Sequence, residues 1–193
     1  MVANERLHRE LSHIWPVVDA DDSVAVSVIT GAGTAFSAGG DLSMVEKMTT
    51  DRAAAATARP SDGHTRSGVA AGDHPAILWP LLCGMAKAKY YLMTAEFIDG
   101  AEAERIGLVT RCPPDEDVVA EALAVAERLV RGSRTAVQWT KRVLNQWMMT
   151  NAPVFGESLA LEMIGFLGPD AQECVAAIRD RRRPDFPWAR RPE

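Results

Sequence analysis

The sequence has few cysteines, and none of them are in the close spacing of a metal or redox motif. Its three cysteines are Cys83, Cys112 and Cys174, an odd number spread over 193 residues. Disulfide scaffolds use dense, even sets of cysteines, and zinc or redox motifs use pairs at short spacing. The sequence therefore favours neither a disulfide framework nor a structural zinc site, and we expect a reducing, cytoplasmic location.

Long hydrophobic runs are also missing. The longest uncharged apolar stretch, residues 75–86, is interrupted by Pro80 and is too short to cross a bilayer. The opening residues, 1–6, have no apolar core typical of a signal peptide. We therefore expect a soluble protein with no membrane partner.

An excess of basic residues is the third absence. The chain has 21 Lys and Arg against 26 Asp and Glu, for a formal charge of −5. Nucleic-acid binding over a broad surface needs a basic face, so we expect no nucleic-acid partner. With 47% apolar and 24% charged residues, the composition is that of an ordinary globular chain. Its length suits one domain, or at most one domain with a helical appendage.

Apolar spacing predicts a helix-rich chain with one clear strand. Residues 24–29 are mostly β-branched and apolar, which is typical of a buried strand. Since one strand cannot form a sheet, other strands must be weakly marked or missing. Helical periodicity predicts helices over residues 5–15, 115–131, 134–149, 158–167 and 170–182, and another that follows Pro80 and reaches Leu92.

A glycine-rich turn, residues 30–40, follows the predicted strand. Such a turn exposes backbone N–H groups that can bind a phosphate or a developing oxyanion. A dinucleotide fingerprint fails, because Phe36 stands three positions after Gly33, and no P-loop Gly-Lys-Ser/Thr is present. A nucleophile elbow fails because Ala35 stands two positions before Ser37. An anion-binding turn and a plain structural turn both remain open.

Several stretches resemble the crotonase superfamily, the enoyl-CoA hydratases and isomerases. Residues 33–42, GTAFSAGGDL, resemble its oxyanion-hole signature. Residues 84–109 resemble a family helix followed by its A-x-x-I-G-L-V turn, and residues 170–186 resemble the closing helix. Residues 62–74 are similar to an actinobacterial-type subgroup. The resemblance covers nearly the whole chain.

The resemblance implies an α/β fold, a crotonase-like spiral of ββα turns with C-terminal helices that mediate trimerisation. We expect residues 1–112 to form an incomplete crotonase-like core and residues 113–193 to form a helical oligomerisation region. The implied partner, besides the substrate, is a second copy of the chain, in a trimer or hexamer.

The resemblance also implies acyl-CoA thioesters as substrates, with coenzyme A as part of the substrate and no separate cofactor or metal. Two backbone N–H groups hold the thioester carbonyl in the family, and the first would be that of Ala38. The residues implied to contact CoA are Ala35, Phe36, Ser37, Ala38, Gly39, Gly40, Asp41 and Leu42.

The sequence departs from the family pattern in three places. Against that pattern, we expect the family's opening strands to be missing. We also expect an internal deletion near residues 51–61, which removes the second glycine-rich loop that supplies the second oxyanion N–H and one catalytic glutamate. His64 stands where the second glutamate would fall. A histidine near its ordinary pKa of about 6.5 can transfer protons, so His64 and Asp73 are the candidate acid/base residues. Their structural alternatives are a loop hydrogen bond for His64 and a helix cap for Asp73.

Two functional hypotheses follow. The first is an enzyme of the hydratase/isomerase class that acts on an acyl-CoA through its oxyanion-hole loop. The second is a catalytically impaired, truncated paralogue that keeps oligomerisation and weak CoA affinity. Because one oxyanion donor and both glutamates are missing, we expect very poor hydratase activity.

Overall fold

A computed structural model describes residues 5–31, Phe36 and residues 64–186, and those residues form eight α-helices and one 3-10 helix. In chain order, these are α1 (Glu5–Ala20), the 3-10 helix η1 (Thr65–Ser67), α2 (His74–Cys83), α3 (Met85–Thr94), α4 (Gly100–Arg105), α5 (Val118–Arg131), α6 (Arg134–Thr150), α7 (Ala152–Phe166) and α8 (Pro169–Arg179). Those same ranges contain no β-strand.

The strand predicted over residues 24–29 is not formed. The segment follows a turn after α1, in which the Val24 N–H donates to the Asp21 carbonyl at 3.0 Å, and it then runs on without strand pairing. Val28 and Ile29 are exposed. β-Branched residues favour an extended backbone, but a strand also needs the hydrogen bonds of a neighbouring strand, and the described part of the chain supplies none.

The helix predicted to follow Pro80 is instead two helices that divide at a glycine. α2 begins at His74 and continues through Pro80, and the break comes at Gly84, whose φ is +80°. Glycine reaches this left-handed region without steric cost, so the backbone turns there and α3 starts at the next residue. Pro80 removes only one backbone donor and does not stop α2.

A short helix and turn follow, as the resemblance implies. Asp99 caps α4, because its carboxylate accepts the Glu102 N–H at 2.8 Å. After α4 the chain reverses at Gly107, with φ of +83°, and the N–H groups of Leu108 and Val109 both donate to the Ala103 carbonyl. This glycine-dependent turn is the I-G-L-V part of the predicted motif.

Glu102 also joins α4 to α3. The Tyr91 hydroxyl donates to Glu102 Oε1 at 2.8 Å, and the Arg105 guanidinium donates to both carboxylate oxygens, at 2.6 and 2.5 Å. The hydrogen bonds from Arg105, followed by that from Tyr91, lower the pKa of Glu102 to about 2.

The C-terminal helices form where periodicity predicts them, but several of their bounds differ. Ser158 and Asp170 were expected to open helices, but α7 begins at Ala152 and α8 at Pro169. Proline suits the first turn of a helix because the N–H that it lacks has no partner there, and each of these two helices has a proline in that position. Ser158 is therefore free to contact another part of the chain.

A small core holds η1 against α8. The buried residues of α8 are Ala171, Cys174, Val175 and Ala177. Gly68, with φ of +76°, packs so closely on α8 that an added Cβ would lie 2.7 Å from the Asp170 carbonyl carbon. This contact fixes the start of residues 64–73, which we call the His64 loop, on the C-terminal helices.

Candidate functional site

The most buried polar contact in the described residues joins the His64 loop to α7. His64 Nε2 lies 2.9 Å from Glu162 Oε1, and the two side chains are 3% and 0% exposed. The distance is that of an ion pair, although the contact does not have the alignment of a directional hydrogen bond. An imidazole beside a carboxylate is an arrangement that can hold and transfer a proton.

One face of α7 contacts the His64 loop at several residues. Ser158, Glu162 and Gly165 are spaced by four and three positions, which places them on the same side of the helix. The Ser158 hydroxyl lies 2.9 Å from the Gly72 carbonyl oxygen, and an added Cβ on Gly165 would lie 3.3 Å from the Val69 side chain. The small residue at 165 thus lets the loop lie directly on the helix.

The loop backbone at Gly72 also packs closely on Glu162. A Cβ at position 72 would lie 2.1 Å from both the Cβ and the Oε2 of Glu162. The carboxylate therefore packs directly on the loop backbone, and no larger residue fits at position 72 without displacing α7 or the loop.

Side chains of η1 fasten the other side of the loop to α3 and to the segment after it. The Thr65 hydroxyl donates to the Leu92 carbonyl at 2.8 Å. The Arg66 guanidinium donates to the Ala95 carbonyl at 2.7 Å and lies 4.1 Å from the centre of the Phe97 ring. With α7 on one side and α3 on the other, the position of His64 is fixed by tertiary contacts.

Asp73 occupies the N-cap position of α2, as the structural alternative expects, although its side chain makes no capping hydrogen bond. Its backbone carbonyl accepts the Ala76 N–H at 3.2 Å, and its Oδ1 is buried. Asp73 directly follows Gly72, the residue whose backbone packs on Glu162. His74 is exposed, and its ring lies 5.8 Å from that of Phe155.

Most of the predicted CoA-binding residues lie outside the described residues. This applies to Ala35, Ser37, Gly39, Gly40, Asp41 and Leu42, and to Ala38 as the expected oxyanion donor. Phe36 is described and is exposed. The oxyanion-hole loop therefore stays a prediction.

Sequence reasoning missed Glu162, although the sequence carries a signal for it. The residue stands on the same helical stripe as Leu159 and Phe166, where the spacing predicts core positions. A charged residue at a core position is uncommon unless it has a partner. The partner, His64, is remote in the sequence and could not be inferred from periodicity.

Residues 5–31 and 64–186 contain no group of three or more His, Cys, Asp or Glu side chains that could hold a metal ion. In the same part of the chain, no helix is long and apolar enough to cross a membrane.

Comparison with known families decides the relationship. The family model described as Enoyl-CoA hydratase/isomerase matches residues 47–186, which include the His64 loop and α2–α8. The chain belongs to the enoyl-CoA hydratase/isomerase family. The predicted crotonase resemblance is thus confirmed.

Curated relatives within the family have similar sequences over most of the chain. A probable enoyl-CoA hydratase, echA8 of Mycobacterium leprae, is 26% identical over 226 aligned positions, covering 95% of this chain and 88% of the relative. A crotonyl-CoA hydratase of Syntrophomonas wolfei is 27% identical, covering 90% and 65%. The first alignment is longer than the 193-residue chain, so some positions of that relative have no counterpart here. The deletion near residues 51–61 stays a prediction.

Solved structures show the fold relationship. An enoyl-CoA hydratase/isomerase of Mycobacterium paratuberculosis superposes with a TM-score of 0.80 at 26% identity, covering 91% of this chain and 88% of that one. A carnitinyl-CoA hydratase of Mycobacterium avium gives 0.79 at 21% identity, covering 98% and 90%, which shows a shared fold alone. The crotonase fold class is therefore supported, while the spiral and the trimer stay predictions.

Proposed function

We propose that the chain acts on acyl-CoA thioesters as a hydratase or isomerase, with His64 as its proton-transfer residue. The observation that carries the proposal is the buried contact of His64 with Glu162, at the position where the resemblance places the second glutamate of the hydratases. The names of relatives, among them the crotonyl-CoA hydratase, support a thioester substrate.

A single histidine has the chemistry for both proton steps of a hydration. One ring nitrogen accepts a proton from water as the water oxygen bonds to C3 of the enoyl thioester. The electron pair of the double bond moves toward the thioester oxygen, and the same proton is then returned to C2. Water is added across the bond, and the imidazole ends as it began.

The oxyanion-hole loop would stabilise the charge that develops on the thioester oxygen. The Ala38 N–H is the proposed donor, within a CoA-binding loop over residues 35–42. If the second donor is missing, the transition state loses a factor of about 10²–10³ in rate, and the loss of a glutamate costs about 10²–10⁴. Slow turnover is therefore expected.

Self-association would accompany this activity. Trp139, Val143 and Trp147 are spaced four apart along α6 and are 67%, 66% and 61% exposed. Large apolar side chains in such a row typically mark an interface. We propose that the C-terminal helices form the contact of a homo-oligomer, a trimer or hexamer.

The test is turnover of crotonyl-CoA, followed by loss of the enoyl thioester absorbance. The purified chain, His64→Ala and His13→Ala are compared, the last being a matched control because His13 is an exposed histidine of α1. We expect slow turnover that collapses only in His64→Ala. Equal rates in all three proteins would overturn the role of His64, and no turnover in any of them would favour the impaired paralogue.

A further inference from the structure

We infer that Thr65 is a positioning residue, which holds His64 in place by capping the C-terminal end of α3 from another part of the chain. The inference rests on the proposed function for its catalytic meaning. Its structural content, the anchoring of η1 beside His64, can be measured without any turnover.

The end of α3 leaves a backbone carbonyl without the bond that a longer helix would give it. Ala95, the residue after the helix, has φ of +51°, so the backbone leaves the helical path there. In a continued helix the Glu96 N–H would donate to the Leu92 carbonyl, but it donates to the Thr94 hydroxyl instead, at 3.3 Å. The Leu92 carbonyl is therefore open to a donor from elsewhere in the chain.

Thr65 supplies that donor. Its partly buried hydroxyl donates to the Leu92 carbonyl at 2.8 Å, although the two residues are 27 positions apart in the sequence. The next residue, Arg66, donates to the Ala95 carbonyl at 2.7 Å and places its positive charge at the negative end of the helix. Two consecutive side chains of η1 thus cap one helix end.

The capping bond reaches His64 through the backbone of η1. The N–H groups of Ser67 and Val69 both donate to the His64 carbonyl, at 2.9 and 3.0 Å. On the opposite side, Gly68 packs on the α8 backbone, where an added Cβ would lie 2.7 Å from a carbonyl carbon. Loss of the Thr65 bond would therefore release the α3 side of this unit while the α8 side stays in place. A displacement of about 1 Å at a reacting group can cost about 100-fold in rate.

The experiment is amide hydrogen exchange of the folded chain, followed residue by residue by NMR. Thr65→Val keeps the shape of the side chain but removes the hydroxyl, whereas Thr65→Ser keeps a hydroxyl. Thr150→Val is the matched control, because the Thr150 hydroxyl donates to the carbonyl of Gln146, in its own helix, at 2.9 Å. The Ala88 amide, in the first turn of α3, is the internal reference.

In Thr65→Val we expect the Ser67 and Val69 amides to exchange about 5-fold faster or more, which is the effect of one lost hydrogen bond on a local opening equilibrium. The Ala88 amide should keep its rate. Thr65→Ser should stay close to the wild type, and Thr150→Val should leave all three amides unchanged.

Turnover of crotonyl-CoA tests the catalytic meaning of the same bond. Thr65→Val should lower kcat about 10-fold with little change in KM, because a displaced proton-transfer residue slows the chemical step rather than binding. Thr65→Ser should restore most of kcat. An active Thr65→Val protein with faster local exchange and an unchanged kcat would overturn the positioning role.

The exchange outcomes separate this inference from the proposed function. Wild-type Ser67 and Val69 amides that exchange as fast as an unstructured chain would overturn the inference, and that measurement requires no variant to fold. Equal exchange in the wild type and Thr65→Val would also overturn it, as would equally faster exchange at Ala88, which reports a global loss of stability. Faster local exchange without turnover in any protein would support the anchoring by Thr65 while rejecting the proposed enzymatic function.

Discussion

Substitution of Gly72 by alanine should destabilise the protein by about 2 kcal/mol. The added Cβ would lie 2.1 Å from the Glu162 Cβ, an atom attached directly to the α7 backbone that no rotamer change can move. Overpacking of this kind costs about 1–3 kcal/mol, and a rigid neighbour places the cost at the upper end. Gly72 is outside the left-handed region, so alanine can adopt its backbone conformation. Alanine also restricts the unfolded chain, which stabilises the folded protein by about 0.4–1 kcal/mol and offsets part of the overpacking cost.

Urea unfolding followed by the fluorescence of the five tryptophans measures this loss. With a slope of about 2 kcal/mol per molar urea, the midpoint should fall by about 1 M. Gly156→Ala is the matched control, because nothing lies within 4 Å of a Cβ added there, inside the same α7. That control should be stabilised by up to about 1 kcal/mol, the difference in helix propensity between glycine and alanine.

The combination of Gly72→Ala with Glu162→Ala sharpens the test. Glu162→Ala removes the carboxylate but keeps the Cβ, so the combination should retain most of the cost of the first change. An unchanged midpoint for Gly72→Ala would refute the close approach of the His64 loop to α7. Full recovery in the double variant would show that only the flexible end of Glu162 is in the way.

Three further predictions concern other parts of the chain. Burial raises the pKa of the Cys174 thiol, so iodoacetamide at neutral pH should modify the exposed Cys112 first, and equal rates by mass spectrometry would contradict this. The pKa of Glu102 is lowered to about 2, so the ionised carboxylate should stabilise the folded protein fully above the ordinary glutamate pKa of about 4.3 and lose this effect as the pH falls through about 2. A ¹³C titration of the Glu102 carboxyl with a midpoint of about 4.3 would contradict this. Replacement of Trp139 and Trp147 by glutamate should convert oligomers to monomers in light scattering, whereas a monomeric wild type would reject the interface.

Periodicity predicted the helices well where one face is apolar over several turns. Residues 115–131 were expected to be helical, and α5 spans Val118–Arg131; residues 134–149 were expected, and α6 spans Arg134–Thr150. A helix closes its hydrogen bonds within four residues, so its bounds are encoded locally. The strand at residues 24–29 failed because its hydrogen bonds must come from another segment.

The candidate site was only half predictable for a related reason. His64 was singled out because the resemblance places it at the position of a catalytic glutamate. Glu162 was not, because its relation to His64 exists only after α7 has packed on the loop. Ser158 was expected at a helix start and is instead a loop contact, 86 positions from Gly72 in the sequence.

That separation determines when the site can form during synthesis. At a translation rate of about 5–20 residues per second, the ribosome adds Ser158 roughly 4–17 s after Gly72. Until then the His64 loop has been made, but the helix face that supports it has not. Formation of the His64–Glu162 contact therefore marks the emergence of α7, and a nascent chain released before Ala152 carries the histidine without the carboxylate that holds it.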